Sequence, residues 1–209
     1  MIAAKFAGAA LGAMVLMTLN ASAFAQSPTS AIATMNEPGP EARALAARAG
    51  EWTLTLTIHP NPTAAPIVWS DLKVSRQMVG AFLEEVISPA DASQPDFKRI
   101  SYFHYNRVEG RWQYVSMDTR FPAGIMPAYS VDAGSPDHLV LEFLPVAFAG
   151  WDDQVDGWML RSSYEAFGLG SDHETAKQYW TRADGSGTRW LAVEYDYRRV
   201  VTNAGAMRR

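Results

Sequence analysis

Arg76, Tyr102 and His104 interrupt runs in which apolar residues recur at every second position. A few polar side chains on an otherwise apolar wall are what orients the polar end of a bound small molecule. Arg76 alternates with Leu72, Val74 and Met78, so in a strand all four lie on one face. A guanidinium in that setting suits a carboxylate, which it grips through two parallel hydrogen bonds. Tyr102 and His104 alternate with Ile100 in the same way, Tyr195 and Tyr197 with Leu191 and Val193, and Arg161 with Met159. His104 and Tyr102, with Arg76, would also be the acid and base groups if the chain were an enzyme. A one-residue slip of register exchanges the two faces of a strand. Facing inward these groups meet a ligand; facing outward they pair with Asp or Glu.

The other reactive residues assemble no recognisable catalytic set. The four histidines, His59, His104, His138 and His173, stand singly, with none of the short spacings that bind metal, and no metal site is expected. Haem is the one cofactor a lone barrel histidine could hold; otherwise no cofactor is expected. The run Asp152-Asp153-Gln154-Val155-Asp156-Gly157 lacks the alternating ligand ladder and the closing Glu of a calcium loop, and reads as a polar connection. Ser186, inside Asp184-Gly185-Ser186-Gly187, sits in a hairpin-type turn and not in a strand-to-helix elbow. Glu84 and Glu85 are adjacent, so a strand sends them to opposite faces and they cannot act as an acid and base pair. No glycine-rich phosphate loop leads from a strand into a helix.

Composition narrows the classes further. The 209 residues are 48% hydrophobic and 19% charged, the proportions of one folded domain. Eighteen Lys and Arg against 22 Asp and Glu leave a net charge of -4, which argues against a nucleic-acid partner. The absence of Cys removes disulfides, thiol catalysis and iron–sulfur clusters. Seven Trp, eight Tyr and nine Phe supply bulky material for a core.

Residues 1–25 read as a signal peptide. Lys5 precedes the apolar run FAGAALGAMVLM, and Ala23-Phe24-Ala25 offers a small-x-small cleavage site ahead of Gln26. That run is shorter than the ~20 residues a membrane span needs. The expected location is periplasmic or secreted, with no integral membrane association after cleavage. Residues 26–39, rich in Pro, Ser, Thr and Ala, read as a flexible N-terminal segment. A domain over 40–200 and a C-terminal tail over 201–209 complete the division.

Pro40 suits a first helical position, and Ala42, Leu45, Ala46 and Ala49 recur at helical spacing up to Gly50. Arg43 and Arg48 fall off that stripe. From there the period becomes two. Trp52, Leu54, Leu56 and Ile58 alternate with Thr53, Thr55 and Thr57. Further strands are predicted over 67–78, 82–88, 98–106, 111–118, 126–131, 138–144, 157–167, 173–182 and 189–199. Turn residues such as Val79-Gly80-Ala81 separate them. About ten strands with short connections and one short helix imply an all-β antiparallel meander, and closure into a barrel removes its edges. An open two-sheet sandwich is the competing architecture.

Several ordered fragments add to this reading. They are Ala49-Gly50-Glu51-Trp52, Ser75-Arg76 through Val79-Gly80-Ala81-Phe82-Leu83, and Tyr105-Asn106 ahead of Trp112. Ser116-Met117 with Met126-Pro127 follows, then Asp184-Gly185 to Trp190 with Tyr197-Arg198-Arg199. In that order they resemble a bacterial family of unknown function in the lipocalin-like (calycin) superfamily. Phe103-His104 departs from the family, which often has Leu-Gly there. The resemblance implies a β-barrel with a cavity and no established reaction. The expectation is then an exported barrel that binds a small apolar or amphipathic molecule through Arg76, Tyr102 and His104. An enzyme on the same barrel and an interaction protein with a filled barrel are the alternatives.

Overall fold

The protein is described by a computed structural model over residues 37–91, 96–121, 123–135, 137–149 and 152–201. The signal peptide expected over 1–25, nearly all of the segment expected over 26–39 and the tail beyond 201 lie outside these residues. Among the described residues one helix, Pro40–Ala46 (α1), precedes eleven strands. These are Gly50–Ile58 (β1), Ile67–Val79 (β2), Phe82–Ser88 (β3), Arg99–Asn106 (β4), Arg111–Asp118 (β5) and Ile125–Ser130 (β6). His138–Phe143 (β7), Val146–Ala147 (β8), Met159–Phe167 (β9), His173–Arg182 (β10) and Trp190–Arg199 (β11) follow. All pairings are antiparallel. β1 to β7 pair in sequence, β7 pairs with β9, β9 with β10, β10 with β11, and β11 with β1. Ten strands thus close into a barrel, and the two-residue β8, which the sequence did not announce, extends the start of β9. Among the described residues no helix is long and apolar enough to cross a membrane.

Alternation sets the inside of the barrel. Trp52, Leu54, Leu56 and Ile58 are buried, and the threonines between them face out, as the period of β1 predicts. Arg76 is 3% exposed, on the inner face with Leu72 and Val74. Two irregularities re-aim side chains. Ser70 and Asp71 of β2 together oppose Thr55, and Asp71 takes φ 60, a left-handed conformation that Asp tolerates better than most residues. Ala192 is an extra residue opposite β10, so Leu191 does not share the face of Val193, Tyr195 and Tyr197 as simple alternation would have it.

The two ends of the barrel differ. At one end the strand connections are short, such as the two-residue turn at Gly80 and Ala81, and α1 lies across β2, β3 and β4. The helix stops at Ala46, sooner than its spacing suggests. Arg199 then donates to the carbonyls of Ala47 and Ala49 at 2.6 and 2.7 Å. Arg48, which the stripe pattern turned away from the core, is instead buried. It donates through Nε and Nη2 to both oxygens of Glu174, at 3.0 and 2.9 Å. Arg76 reaches the same carboxylate at 2.8 Å and donates Nε to Glu85 at 2.8 Å. Trp52 closes the group: its indole N–H donates to the Arg48 carbonyl, and the Arg76 and Arg199 guanidiniums lie 4.5 and 4.3 Å from its ring centre.

Two predictions follow from this end of the barrel. Trp52→Ala removes a fully buried ring and should cost ~3–5 kcal/mol in denaturant unfolding. Trp52→Phe, which keeps most of the ring and loses the N–H, should cost well under half of that; equal losses would mean that the indole hydrogen bond and not the packing dominates. Burial pushes the Glu174 carboxyl up, but Arg48 and Arg76 outweigh it and hold it below the ordinary 4.5. A carboxylate with a depressed folded-state pKa stabilises above its unfolded pKa, and that stability is lost as the pH falls through the folded value. Stability should therefore hold above ~pH 5 and decline below ~pH 4.5. Glu174→Gln, which strands two buried guanidiniums, should lower stability at neutral pH by ~3–5 kcal/mol and flatten the acid decline. Unfolding curves of both proteins from ~pH 7 to ~pH 3 check this.

Candidate functional site

At the end away from α1 the connections are longer, and they fold aromatic side chains inward. Phe97 comes from the segment before β4, Phe121 from the one after β5, and Phe148 and Trp158 from the stretch around β8. A ten-stranded barrel is wider than the eight-stranded size whose interior side chains just fill. The surplus is an interior cavity in which the centre of a water molecule can occupy about 60 Å³, within some 650 Å³ of atom-free space that includes its mouth. That is room for far more than one water. Leu56, Ile58, Phe121, Phe143, Phe148 and Trp180 form much of its apolar wall. Phe148 packs on Trp180 at 4.2 Å between ring centres and meets Phe121 edge-on at 5.8 Å.

The polar wall of this cavity is ordered by a chain of hydrogen bonds. Arg99, at the start of β4, donates Nη2 to the Tyr114 hydroxyl at 2.7 Å and Nη1 to the Tyr195 hydroxyl at 3.2 Å. Tyr195 in turn donates its hydroxyl hydrogen bond to Gln178 Oε1 at 2.8 Å, and Gln178 donates to Ser162 at 2.6 Å. On this wall Arg99 Nε and Ser116 Oγ are buried and have no hydrogen-bond partner among the described residues. The cross-strand register makes them neighbours. Arg99 faces Asp118 and Ser101 faces Ser116, so Arg99 and Ser116 stand on the diagonal of one inward face. Asp118 does not compensate Arg99, because Arg120 holds it through Nε and Nη2 while stacking on Phe97 at 3.9 Å.

Arg99 therefore carries a charge that no carboxylate of the described residues balances. Burial opposes that charge, and the oxygens of Tyr114, Tyr195 and Tyr197 beside it more than offset the penalty. Burial chiefly holds the hydroxyls of Tyr164, Tyr195 and Tyr197 above the ordinary phenol range. These three are phenols, not phenolates, at neutral pH. The hydroxyls of Tyr114 and Tyr195 solvate the guanidinium without neutralising it. On the other side of Arg99 lies a smaller cavity of about 30 Å³, lined by Glu85, Ser101, Tyr164 and Tyr197 among others.

The three residues singled out from the sequence separate. Arg76 is inside, but its charge is spent on Glu85 and Glu174 and it lines neither cavity. Tyr102 and His104 are on the outer face, which corrects their expected inward direction. Tyr102 donates to Glu84 at 2.6 Å, and His104 stacks on the exposed Phe82 at 4.2 Å. The inner face of β4 is Arg99, Ser101, Phe103 and Tyr105, a set whose polarity hides it from a search for apolar alternation. Arg161 and Met159 are exposed, so they too face outward. His59, His138 and His173 approach Glu194, Glu165 and Asp196 at 3.3–3.5 Å. None of the described residues lining these two cavities is a histidine. Among the described residues no three His, Asp or Glu side chains are placed to hold a metal ion. Asp152 accepts from Asn61 and the Gln154 amide, and Asp184 from Ser186, so both loops use their carboxylates to shape turns.

No family model and no curated protein matches the chain. Five chains of solved structures do match it by fold. Among them is the crystal structure of Rv2717c from M. tuberculosis, 18% identical, with a TM-score of 0.49 over 78% of this chain and 99% of that one. At that identity the likeness concerns the fold alone.

Proposed function

We propose that this barrel binds a small amphipathic molecule in the cavity opposite α1, with the polar end of the ligand at Arg99. The observation that carries the reading is the unbalanced Arg99 guanidinium on the polar wall of a largely apolar cavity. Apolar walls supply most of the affinity for such a ligand, and one or two well-placed polar groups fix its orientation. A filled barrel would have no need of a buried cation without a counter-charge. A structural arginine would be paired, as Arg48, Arg76 and Arg120 are. The binding role expected of Arg76 passes to Arg99. We also propose export to the periplasm or medium, supported by Lys5, the apolar run and Ala23-Phe24-Ala25.

Arg99→Met removes the cation and keeps the bulk of the side chain. It should weaken ligand binding by ~1.5–3 kcal/mol while leaving unfolding stability within ~1 kcal/mol of wild type or above it. Arg76→Met should do the reverse, losing ~3–5 kcal/mol of stability because it leaves Glu174 and Glu85 short of a partner. Thermal shift against a panel of fatty acids, small carboxylates, alcohols and amines, followed by calorimetry on any hit, checks both. A panel that moves nothing in wild type rejects the binding reading. For export, N-terminal sequencing of the protein recovered outside the cytoplasm should begin at Gln26; an intact Met1 on that protein rejects it.

A further inference from the structure

We propose that the ligand is a small aromatic monocarboxylate, its ring against Phe121, Phe143, Phe148 and Trp180 and its carboxylate shared by Arg99 Nε and Ser116 Oγ. This rests on the binding reading above and names the chemistry of the molecule bound.

The unspent polar groups set the sign of the head. Tyr195, Gln178 and Ser162 satisfy one another, so the wall presents two unused donors, one on a guanidinium and one on a hydroxyl. A carboxylate, with two acceptor oxygens, satisfies both at once; an amine would meet a like charge, and an alcohol would leave the cation unbalanced. A single negative charge is called for. Arg120 is committed to Asp118, which leaves Arg99 as the unbalanced cation on this wall.

The surroundings of Arg99 set the length. Its bonds to Tyr114 and Tyr195 form a bar across the barrel between the two cavities. An anionic head is not drawn past that bar, because the far cavity is only about 30 Å³ and its other charged groups, Glu85 and Arg48, are already paired with Arg76 and Glu174. With its head fixed at the bar, a ligand has one cavity length in which to lie. A long alkyl chain would have to run out over the Asp118–Arg120 pair into water and would gain nothing from its outer half. The shape of the wall selects the rest. Phe148, Trp180 and Phe121 offer ring faces and edges at the offset and edge-on angles that aromatic groups adopt with one another.

Calorimetric titration of the mature wild-type protein with benzoate, phenylacetate, benzamide, cyclohexanecarboxylate, decanoate and hexadecanoate tests the assignment. Benzoate or phenylacetate should bind, with benzamide ~10–100-fold weaker for want of the charge and cyclohexanecarboxylate weaker than benzoate. Ser116→Ala should weaken the aromatic acid ~2–10-fold with no change in melting temperature in its absence. Equal binding of benzamide and benzoate would overturn the anionic head. Binding of decanoate or hexadecanoate without the aromatic acids would overturn the ligand class and leave the cavity reading standing. If none of the six binds and the broader panel is also silent, the cavity reading itself fails.

Discussion

Glu174 holds two guanidiniums at once, and the order of the barrel's closed end descends from that. Its carboxylate is 2% exposed and accepts from Arg48, Arg76 and the Gly170 amide, which belong to the residues after α1, to strand β2 and to the β9–β10 turn. Elements that the chain brings together from far apart are thus fixed by one side chain. Removing a charge of this kind strands its partners, which is why such clusters behave as units and not as sums of pairs. Trp52 then packs on the Arg76 and Arg199 cations, and Arg199 in turn holds the carbonyls that end the helix.

The same barrel treats its arginines in two ways. Toward α1 each buried cation has its anion. Toward the open end Arg99 is held by neutral hydroxyls, which aim it without cancelling it. A site for an anion needs this second arrangement, since a paired arginine would have to give up its partner before it could take a ligand. The longer loops cluster at that end and bring in the ring side chains, while the regular strands carry the charge.

How far the sequence could be read follows from what each strand buries. β1 alternates Trp, Leu, Leu and Ile with Thr, so its inner face is plain, and nearly every strand was legible from the same period and its flanking turns. β4 misleads because its outer face carries Ile100, Tyr102 and His104 while its inner face begins with Arg99 and Ser101. In a barrel that encloses polar groups, apolarity marks the wrong face. Ala192 shows a second limit, since one inserted residue flips the faces on either side of it and leaves no mark in composition. Glu174 and Arg48 were missed for a third reason: ion partners 126 positions apart become neighbours only through closure. The adjacent pair Glu84 and Glu85 did split across the sheet as strand geometry requires, one to Tyr102 outside and one to Arg76 inside.

Closure joins β1 to β11, the first of the described strands to the last. Such a ladder sets a schedule as well as a shape. Until β11 is in place, β1 and β10 are both bare edges with unpaired N–H and C=O groups, and the interior between them is open to water. Contacts between chain ends form slowly, because the entropy of a long loop must be lost before any pairing repays it. The protein therefore has a vulnerable interval on its way to the native state, in which an almost complete sheet can pair with another copy as readily as with its own missing strand. Truncation within the last ten residues of the barrel would make that interval permanent.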